Sequence, residues 1–210
     1  SPAILRPPVA ASCRPARLLG QGAGRVLDLC AAPGGKTLQL AAAGWQVTAL
    51  DASPTRLERL RANLERTGLA ADVVCADVLQ WAPPAAVDAI LIDAPCSATG
   101  IFRRHPDVLY RVRPSVIAEM AALQRKILAR AAGWLRPGGR MVYATCSLEP
   151  EEGEAQLEAF LAAHSDYTVV DVEAPLSVGK STPYIRTLPS DLAENGRCDG
   201  FFIALLERNG

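Results

Sequence analysis

Residues 26–37 read VLDLCAAPGGKT and give the clearest indication of the architecture of this chain. The opening letters of this stretch belong to a short apolar run, residues 25–30, that is typical of a buried strand. A loop rich in glycine and proline follows, and residues 37–43 continue as a helix. A strand, a glycine-containing loop and a helix in this order open many α/β sheets, in which ligands bind beyond the carboxyl ends of the strands.

The rest of the chain continues the alternation of strands and helices. The further predicted strands are residues 46–50, 72–76, 87–92, 140–145, 167–172 and 201–206. The longer predicted helices are residues 54–68, 114–135 and 151–164. Ser53 followed by Pro54 is a helix start, because serine caps the first turn and proline fits the first helical position. The pattern predicts an α/β fold with a mostly parallel central sheet and helices on both faces.

Composition sets limits on what the protein can be. Half of the 210 residues are apolar and 21% are charged, which is typical of a globular protein. No apolar run approaches the ~20 residues that a membrane span needs, and the first residues do not resemble a secretory signal. The regular pattern begins at residue 25, so we predict an arm or linker over residues 1–24 and one catalytic domain over residues 25–210.

The six cysteines do not suggest a disulfide scaffold or a metal centre. They occupy positions 13, 30, 75, 96, 146 and 198, and no two of them have the CxxC spacing of a zinc site. We therefore expect free thiols, no bound metal and a reducing, cytoplasmic location. We also expect the protein to be a monomer. Cys13, Cys75 and Cys198 are interpreted as small buried apolar residues.

Notable side chains follow the predicted strands at the edge where ligands bind. Asp51, Asp77 and Asp93 end the second, third and fourth strands, and Cys96 and Cys146 follow the fourth and fifth. A single aspartate after a strand is commonly a turn former. Five such residues on one edge of the sheet indicate a functional site.

The residues after the first two strands favour a cofactor that contains a nucleoside. Gly34 and Gly35 let the backbone approach a ligand closely, and Asp51 is placed to bind both ribose hydroxyls. Pro33 and the absence of a third glycine count against a dinucleotide, which nonetheless stays open. S-adenosylmethionine needs no pyrophosphate site, and Asp77 suits its adenine. We therefore expect S-adenosylmethionine as the cofactor.

Two cysteines near one cofactor suggest methyl transfer to a pyrimidine carbon. The C5 atom of a pyrimidine is a poor nucleophile, and a thiolate that adds to C6 turns C5 into an enamine-like carbon that attacks a methyl sulfonium. Asp93 is placed to stabilise the charge that builds up on the ring. Cys96 and Cys146 are the candidates for the thiol chemistry.

Five stretches of the chain resemble one known family. They are VLDLCAAPGGKT (26–37), LDAS with PTRLERLRANLERTGL (50–69), DAPCSATGIFRRHPDV (93–108), LRPGGRMVYATCSLEPEEGE (135–154) and CDGFFIA (198–204). With these motifs the chain resembles the Sun/RsmB-type (Fmu) family of RNA cytosine-5 methyltransferases. DAPCS together with ATCS is the most specific part of the resemblance.

The resemblance implies a Rossmann-like class I methyltransferase fold with S-adenosylmethionine as donor. It implies cofactor contacts from Asp51, Asp77, Asp93 and the loop after the first strand. The residues of that loop are Cys30, Ala31, Ala32, Pro33, Gly34, Gly35 and Lys36. It also implies that Cys146 is the nucleophile that adds to C6, and that Cys96 assists release of the product. In DNA cytosine methyltransferases the nucleophile is instead the cysteine that follows proline, which is the position of Cys96 in this sequence.

The chain also differs from the family pattern. Full-length bacterial relatives carry an N-terminal helical RNA-binding domain, which we do not expect here, so the chain resembles a catalytic fragment. Residues 1–24 also lack the Gln-Asp segment that usually precedes the first strand. Ala98 stands where many relatives have glycine, a change that we expect to be tolerated.

Charge is unevenly distributed although the net charge is zero. Residues 98–140 contain nine Lys/Arg and two acids, and residues 141–171 contain seven acids and no Lys/Arg. We predict that Arg103, Arg104 and His105 contact RNA phosphates beside a flipped-out cytosine. The alternative is that the two segments form solvent-exposed faces whose opposite charges cancel and which bind no partner. Arg125, Lys126 and Arg130 are interpreted as the solvent face of a helix.

The sequence therefore predicts a cytosine-C5 methyltransferase that acts on RNA, with 16S ribosomal RNA as the expected substrate. Three alternatives stay open. The first is the same reaction on transfer RNA. The second is a non-catalytic ribosome-assembly factor that binds the cofactor, against which the two thiols argue. The third is a nicotinamide-dependent oxidoreductase.

Overall fold

The computed structural model describes residues 14–172, 183–189 and 199–210. The strands are β1 (Arg25–Leu29), β2 (Gln46–Asp51), β3 (Asp72–Cys75), β4 (Val87–Asp93), β5 (Leu135–Thr145), β6 (Tyr167–Val169), β7 (Ile185–Thr187) and β8 (Phe201–Arg208). The helices are α1 (Arg14–Leu18), α2 (Gly35–Ala42), α3 (Pro54–Thr67), α4 (Val108–Arg111), α5 (Pro114–Ala132) and α6 (Glu154–Ala163). Two 3₁₀ turns, Thr99–Ile101 and Pro150–Glu152, follow β4 and β5.

All of these strands form one sheet. The order is β3-β2-β1-β4-β5-β8-β6, and β7 pairs with β8. The five strands from β3 to β5 pair in parallel, whereas β8 runs antiparallel to β5, β6 and β7. The predicted α/β fold with a mostly parallel central sheet is confirmed. Because β1, β2, β4 and β5 point the same way, their carboxyl ends share one side of the molecule, called here the carboxyl edge.

Helices cover both faces of the sheet, as the near-continuous apolar strands require. Ile90 and Ile92 of β4 belong to one buried cluster, together with Ile127 of α5. Leu91, between them, points to the opposite face and packs in a second cluster with Leu40 of α2. The alternation follows from the two-residue period of a strand, and it places the core on both sides of the sheet.

The region between α5 and β5 differs from the prediction. The helix ends at Ala132 rather than at residue 135, and β5 begins at Leu135 rather than at residue 140. The Pro-Gly-Gly sequence at 137–139 does not separate two elements. It lies within an irregularity of β5, where the pairing with β4 shifts between Val87 and Ala89 and where Gly138 adopts a φ of 72°. Only glycine takes such a φ readily, which explains the residue at this position.

Other element ends also differ from the prediction. β6 ends at Val169, and β8 continues to Arg208. The helix expected at 151–164 is divided at Gly153 into a 3₁₀ turn and α6. Helix α1 packs on the sheet through Ala16, which is buried in the core. The described part of residues 1–24 therefore contacts the domain, and the proposed division at residue 24 stays a prediction.

Two further observations concern only the ranges that the structure describes. None of the helices there has the length and apolar character needed to cross a bilayer. The same ranges contain no group of three or more His, Cys, Asp or Glu side chains placed to hold a metal ion.

Replacement of Leu206 by alanine is expected to destabilise the protein far more than the same replacement at Leu109. Leu206 in β8 is 1% exposed, whereas Leu109 in α4 is 56% exposed. Loss of a buried leucine side chain leaves a cavity and costs about 2–5 kcal/mol, whereas the exposed site should change stability by less than about 0.5 kcal/mol. Urea denaturation of both variants measures the difference. Equal losses of stability would contradict the assignment of β8 to the core.

Candidate active site

The loop between β1 and α2 forms the floor of the site. Cys30 directly follows β1 and has a φ of 60°, and Gly34 has a φ of 102°. A Cβ atom at Gly34 would lie 2.9 Å from Leu60 of α3, so glycine permits both this backbone and this close packing. The Gly34 amide donates to the Ala31 carbonyl over 2.9 Å, which closes the loop tightly.

Asp51 at the end of β2 fixes this loop from the neighbouring strand. Its carboxylate accepts hydrogen bonds from the backbone amides of Ala32, over 3.1 Å, and Ser53, over 2.9 Å. The Arg56 guanidinium lies 3.4 Å from the same carboxylate and donates to the Ala32 carbonyl. Asp51 is 5% exposed, so these partners hold a buried charge in place.

A cavity lies against Cys30 and Asp51 at the carboxyl edge, and it is called here the Cys30 cavity. Its walls are Cys30, Leu50, Asp51, Ala52, Arg56, Ala76, Asp77, Val78, Pro95, Leu123 and Ile127. Asp77 combines two roles, because it lines the cavity and its carboxylate also accepts from the Leu79 amide over 2.8 Å as a turn former does. An apolar cavity with two carboxylates at its edge has the character of a small-ligand site.

Lys36 and Asp93 form an ion pair across the carboxyl edge. The Lys36 Nζ atom lies 2.6 Å from a carboxylate oxygen of Asp93, and the two side chains are 12% and 33% exposed. Lys36 lies in the first turn of α2 and Asp93 ends β4, so the pair joins the start of α2 to the loop that contains Cys96. The carboxylate thereby gains a fixed orientation next to the cysteines.

The two predicted reactive cysteines meet at the carboxyl edge and are called here the thiol pair. The Sγ atoms of Cys96 and Cys146 are 3.3 Å apart. The hydrogen bond from Cys96 lowers the pKa of the Cys146 thiol. The same hydrogen bond and burial raise the pKa of Cys96 well above its usual value. The geometry therefore favours a thiolate at Cys146 and a retained proton on Cys96.

Glu152 is a residue of this site that the sequence analysis missed. It lies in the 3₁₀ turn after β5, is fully buried, and accepts the Ser97 amide through both carboxylate oxygens, at 3.1 and 3.0 Å. Burial raises the pKa of the Glu152 carboxyl group. Its backbone carbonyl accepts from the Tyr143 hydroxyl over 2.7 Å. Glu152 therefore ties the loop after β4 to β5. The acidic run EPEE at 149–152 contained this residue, but the pattern also fits an ordinary helix start.

Hydroxyl groups complete the connection between the two cysteine loops. The Ser147 Oγ atom lies 3.2 Å from both Ser97 Oγ and Thr99 Oγ1. Gly100 donates to the Cys146 carbonyl over 2.9 Å, and a Cβ atom there would lie 2.1 Å from the Gly200 carbonyl oxygen. Ala98 adopts a left-handed φ of 59°, a conformation that glycine takes more readily than alanine.

The three predicted RNA-contacting residues are exposed, but they are not equivalent. Arg104 binds both carboxylate oxygens of Asp199, with the closest contact at 2.6 Å, and so ties the loop to the start of β8. His105 lines a surface groove that Cys96 also lines. Arg103 forms no ion pair with the residues that the structure describes.

Two minor predictions about side chains are wrong. Cys75 is exposed and not buried, because β3 is the edge strand of the sheet. Arg130 does not simply face solvent, because its guanidinium donates to the Trp81 carbonyl over 2.7 Å and lies over the Trp134 ring. Cys13 and Cys198 lie outside the described residues. Burial raises the pKa of Cys30 to about 12, so this thiol is a neutral wall of the cavity.

Known proteins share both the sequence pattern and the fold of this chain. The profile of the family described as 16S rRNA methyltransferase RsmB/F matches residues 17–207. The chain belongs to this family. It is 44% identical over 188 residues to ribosomal RNA small subunit methyltransferase B of Vibrio cholerae, covering 87% of this chain and 41% of the relative. The Klebsiella pneumoniae protein of the same name is 46% identical, with the same coverage. The chain thus spans about two fifths of these RsmB/F relatives.

A solved structure extends the comparison. NSun6 from Pyrococcus horikoshii with SFG superposes with a TM-score of 0.82 at 27% identity, covering 96% of this chain and 52% of that one. The RsmB/F membership and the shared fold confirm the predicted family and the Rossmann-like class I methyltransferase architecture.

Replacement of Glu152 by glutamine is expected to loosen the Cys96 loop and to lower the pKa of Cys96. The amide has only one acceptor oxygen for the Ser97 amide, and it removes a negative charge that raises the pKa of Cys96. A stability loss of about 1–3 kcal/mol is expected in urea denaturation. The pKa shift is read from the pH dependence of Cys96 alkylation in a Cys146→Ser background.

Glu151→Gln provides the matched control, since Glu151 is the exposed neighbour in the same turn. It should leave both stability and alkylation unchanged. If the two glutamine variants behaved alike, Glu152 would not be the residue that holds the loop.

Proposed function

We propose that this protein transfers a methyl group from S-adenosylmethionine to C5 of a cytosine in RNA through a covalent bond between Cys146 and C6. The observation that carries the proposal is the thiol pair, with its 3.3 Å separation of sulfur atoms, beside the Asp93 carboxylate. The reaction needs one thiolate that adds to C6 and a second group that acts later. The pKa of Cys146 is lowered and that of Cys96 is raised, which suits Cys146 to the first role and Cys96 to the second.

The Cys30 cavity and the loop after β1 fit the cofactor. Asp51 would bind the ribose hydroxyls and Asp77 the adenine, while the loop residues 30–36 would contact the remainder. The apolar walls, including Val78 and Ile127, suit a flat aromatic ring. The NSun6 structure with SFG is a related fold with a ligand bound. The bound cofactor supplies an electrophilic methyl group on a sulfonium.

Cys146 begins the reaction in this proposal. The thiolate adds to C6, its electron pair forms the S–C6 bond, and the ring electrons move so that C5 becomes nucleophilic. Asp93 accepts a hydrogen bond from the exocyclic amine and so orients the ring, and the Lys36 ammonium paired with it offsets the negative charge that builds up at N3. The C5–CH₃ bond then forms as the bond between methyl and sulfonium breaks. Loss of the C5 proton to a base restores the double bond and expels the Cys146 thiolate.

Cys96 acts after addition in this proposal. Its sulfur lies next to Cys146 and retains its proton, because burial and the shared hydrogen bond raise its pKa. A protonated thiol is a poor nucleophile. It can donate a hydrogen bond to the Cys146 thiolate as that thiolate leaves C6. These features support the assignment of Cys96 to product release.

RNA, and 16S ribosomal RNA in particular, is the proposed substrate. The two curated relatives are named ribosomal RNA small subunit methyltransferase B, and the family profile is that of 16S rRNA methyltransferases. Arg103 and His105 lie close to the Cys96 loop in sequence and are exposed, which suits contacts with phosphates. Arg104 would contribute less, since Asp199 occupies its guanidinium.

The two cysteine variants are expected to fail in opposite ways. With S-adenosylmethionine and an unmodified 16S rRNA transcript, Cys146→Ala should form neither a covalent complex nor methylated RNA. Cys96→Ala should add and methylate but release product poorly, so that covalently bound enzyme accumulates. A denaturing gel shows the complex as a slow band, and bisulfite sequencing of the RNA reports methylation.

The exposed Cys75 provides a control, and Cys75→Ala should behave as the unmodified protein does. A slow band from the Cys146 variant but not from the Cys96 variant would reverse the two roles. Full activity in both variants would refute the covalent mechanism. Methylation of a transfer RNA transcript but not of the 16S transcript would replace the proposed substrate.

Arg103→Ala is expected to reduce the salt dependence of RNA binding. Each phosphate contact adds about one to the steepness of a plot of log affinity against log salt concentration. The slope of the variant should therefore be shallower by about one. Filter binding of the 16S transcript at several salt concentrations measures the slope. Arg125→Ala on the exposed side of α5 is the control and should keep the original slope. Identical slopes for both variants would place Arg103 outside the RNA interface.

A further inference from the structure

The thiol pair has a chemical property that the proposed mechanism does not use. The Sγ atoms of Cys96 and Cys146 are 3.3 Å apart, whereas a disulfide bond is about 2.05 Å long. A movement of about 1.2 Å would therefore bring the two sulfur atoms to bonding distance. Both cysteines are free thiols and both are partly exposed. Two thiols in this arrangement are suited to oxidation as well as to catalysis.

Backbone hydrogen bonds hold the loops of the two cysteines together. The Ala94 amide donates to the Ala144 carbonyl, and the Gly100 amide donates to the Cys146 carbonyl, each over 2.9 Å. These two bonds precede and follow Cys96 in the chain, so its loop is fastened on both sides to the segment that contains Cys146. Groups held in this way react within one molecule, which is much faster than a reaction between separate molecules. The thiol pair is therefore pre-assembled for a bond between its sulfur atoms.

A small oxidant can reach the pair from the protein surface. Cys96 lines a surface groove whose other walls include His105 and Arg111. Neither Cys96 nor Cys146 lines the Cys30 cavity, to which the proposed function assigns the nucleoside of the cofactor. Oxidation of the pair therefore leaves the side chains that line this cavity chemically unchanged.

We propose that Cys96 and Cys146 form a site of reversible oxidation, at which hydrogen peroxide joins the two sulfur atoms in a disulfide and so stops methyl transfer. The disulfide is inferred from the geometry of the thiol pair alone. The loss of methyl transfer rests on the proposed function, because the disulfide removes the Cys146 thiolate that adds to C6. A dithiol restores both thiols by thiol–disulfide exchange and itself becomes a disulfide.

Hydrogen peroxide oxidises the pair in two steps. The Cys146 thiolate attacks one oxygen of the peroxide, so that an S–O bond forms, the O–O bond breaks and hydroxide leaves. The product is a sulfenic acid at Cys146. The Cys96 sulfur then displaces the hydroxyl group of this sulfenic acid. The S–S bond forms, the S–O bond breaks, and the thiol proton leaves with the hydroxyl group as water. The two sulfur atoms together lose two electrons, which the peroxide gains.

The protonation of the two thiols suits this order of steps. The hydrogen bond from Cys96 lowers the pKa of Cys146 and so favours the thiolate that attacks the peroxide. The same hydrogen bond is the largest cause of the raised pKa of Cys96, and burial adds to it. The first step consumes the Cys146 thiolate and thereby removes the larger cause. Cys96 then gives up its proton more readily than before, as the second step requires.

Mass spectrometry of the peroxide-treated protein tests the inference. The reduced protein is treated with hydrogen peroxide, its remaining thiols are alkylated, and it is digested with chymotrypsin, which cleaves after Trp81 and so separates Cys75 from Cys96. We expect a peptide in which Cys96 is linked to Cys146 with the loss of two hydrogen atoms. Dithiothreitol should return both thiols.

Activity and cofactor binding are measured on the same treated samples. Methylation of the 16S transcript should fall in proportion to the linked fraction and should return after dithiothreitol. Calorimetry should show an unchanged affinity for S-adenosylhomocysteine. Loss of this binding together with methylation would mean that general damage inactivates the protein, and it would overturn the inference.

Two variants separate the steps of the oxidation. In Cys96→Ser no thiol can displace the hydroxyl group, so Cys146 should gain two oxygen atoms and become a sulfinic acid, which dithiothreitol does not reduce. Cys75→Ala removes an exposed thiol outside the pair and should form the same Cys96–Cys146 link as the unmodified protein.

The possible failures are distinguishable. If peroxide produced no link between Cys96 and Cys146, or linked Cys146 to a different cysteine, the inference would be wrong. If the linked protein still methylated RNA, the covalent mechanism under the proposed function would fail, whereas the oxidation site would stand. If the reduced protein methylated no RNA, the proposed function alone would be contradicted, because the linked peptide is detected without any assay of activity.

Discussion

The site depends on the register between the parallel strands β4 and β5. Asp93 pairs with Ala144, and the Ala94 amide donates to the Ala144 carbonyl over 2.9 Å. Cys96 follows Asp93 by three residues and Cys146 follows Ala144 by two, so the pairing of the two strands brings the two sulfur atoms close together. A shift by one residue would turn every side chain of a strand to the opposite face and would separate the thiols. The buried residues on both faces oppose such a shift, because each face has its own apolar cluster.

Buried carboxylates then give this edge of the sheet its chemical character. Asp51 and Glu152 accept hydrogen bonds from backbone amides, which replace the water that burial excludes. Asp93 is paired with Lys36, whereas Asp28 keeps one oxygen unpaired. The paired carboxylates hold loops together, whereas the unpaired oxygen of Asp28 is a buried acceptor without a hydrogen bond from the described residues.

The sequence predicts the parts of the molecule that local patterns determine. Strand and helix order, the glycine loop and the location of Asp51, Asp93, Cys96 and Cys146 at one edge follow from apolar periodicity and from the rule for parallel sheets. The sequence does not predict long-range pairs, because a side chain carries no record of its distant partner. The Ser97 bond of Glu152 and the ion pair of Arg104 with Asp199 are of this kind. Gly138 illustrates a related difficulty, since glycine serves a turn and a strand irregularity equally well.

The late position of β8 in the chain has a consequence for biosynthesis. This strand lies between β5 and β6 although it comes after both in the sequence. Phe202 and Ile203 of β8 belong to the clusters on opposite faces of the sheet. Until residues 201–208 emerge during translation, the apolar edge of β5 has no neighbour and both clusters are incomplete. A nascent chain in that state exposes an unpaired strand edge, which is the usual starting point for aggregation. Insertion of β8 therefore follows the synthesis of the other strands of this sheet, and the carboxyl edge is supported on both sides only after that insertion.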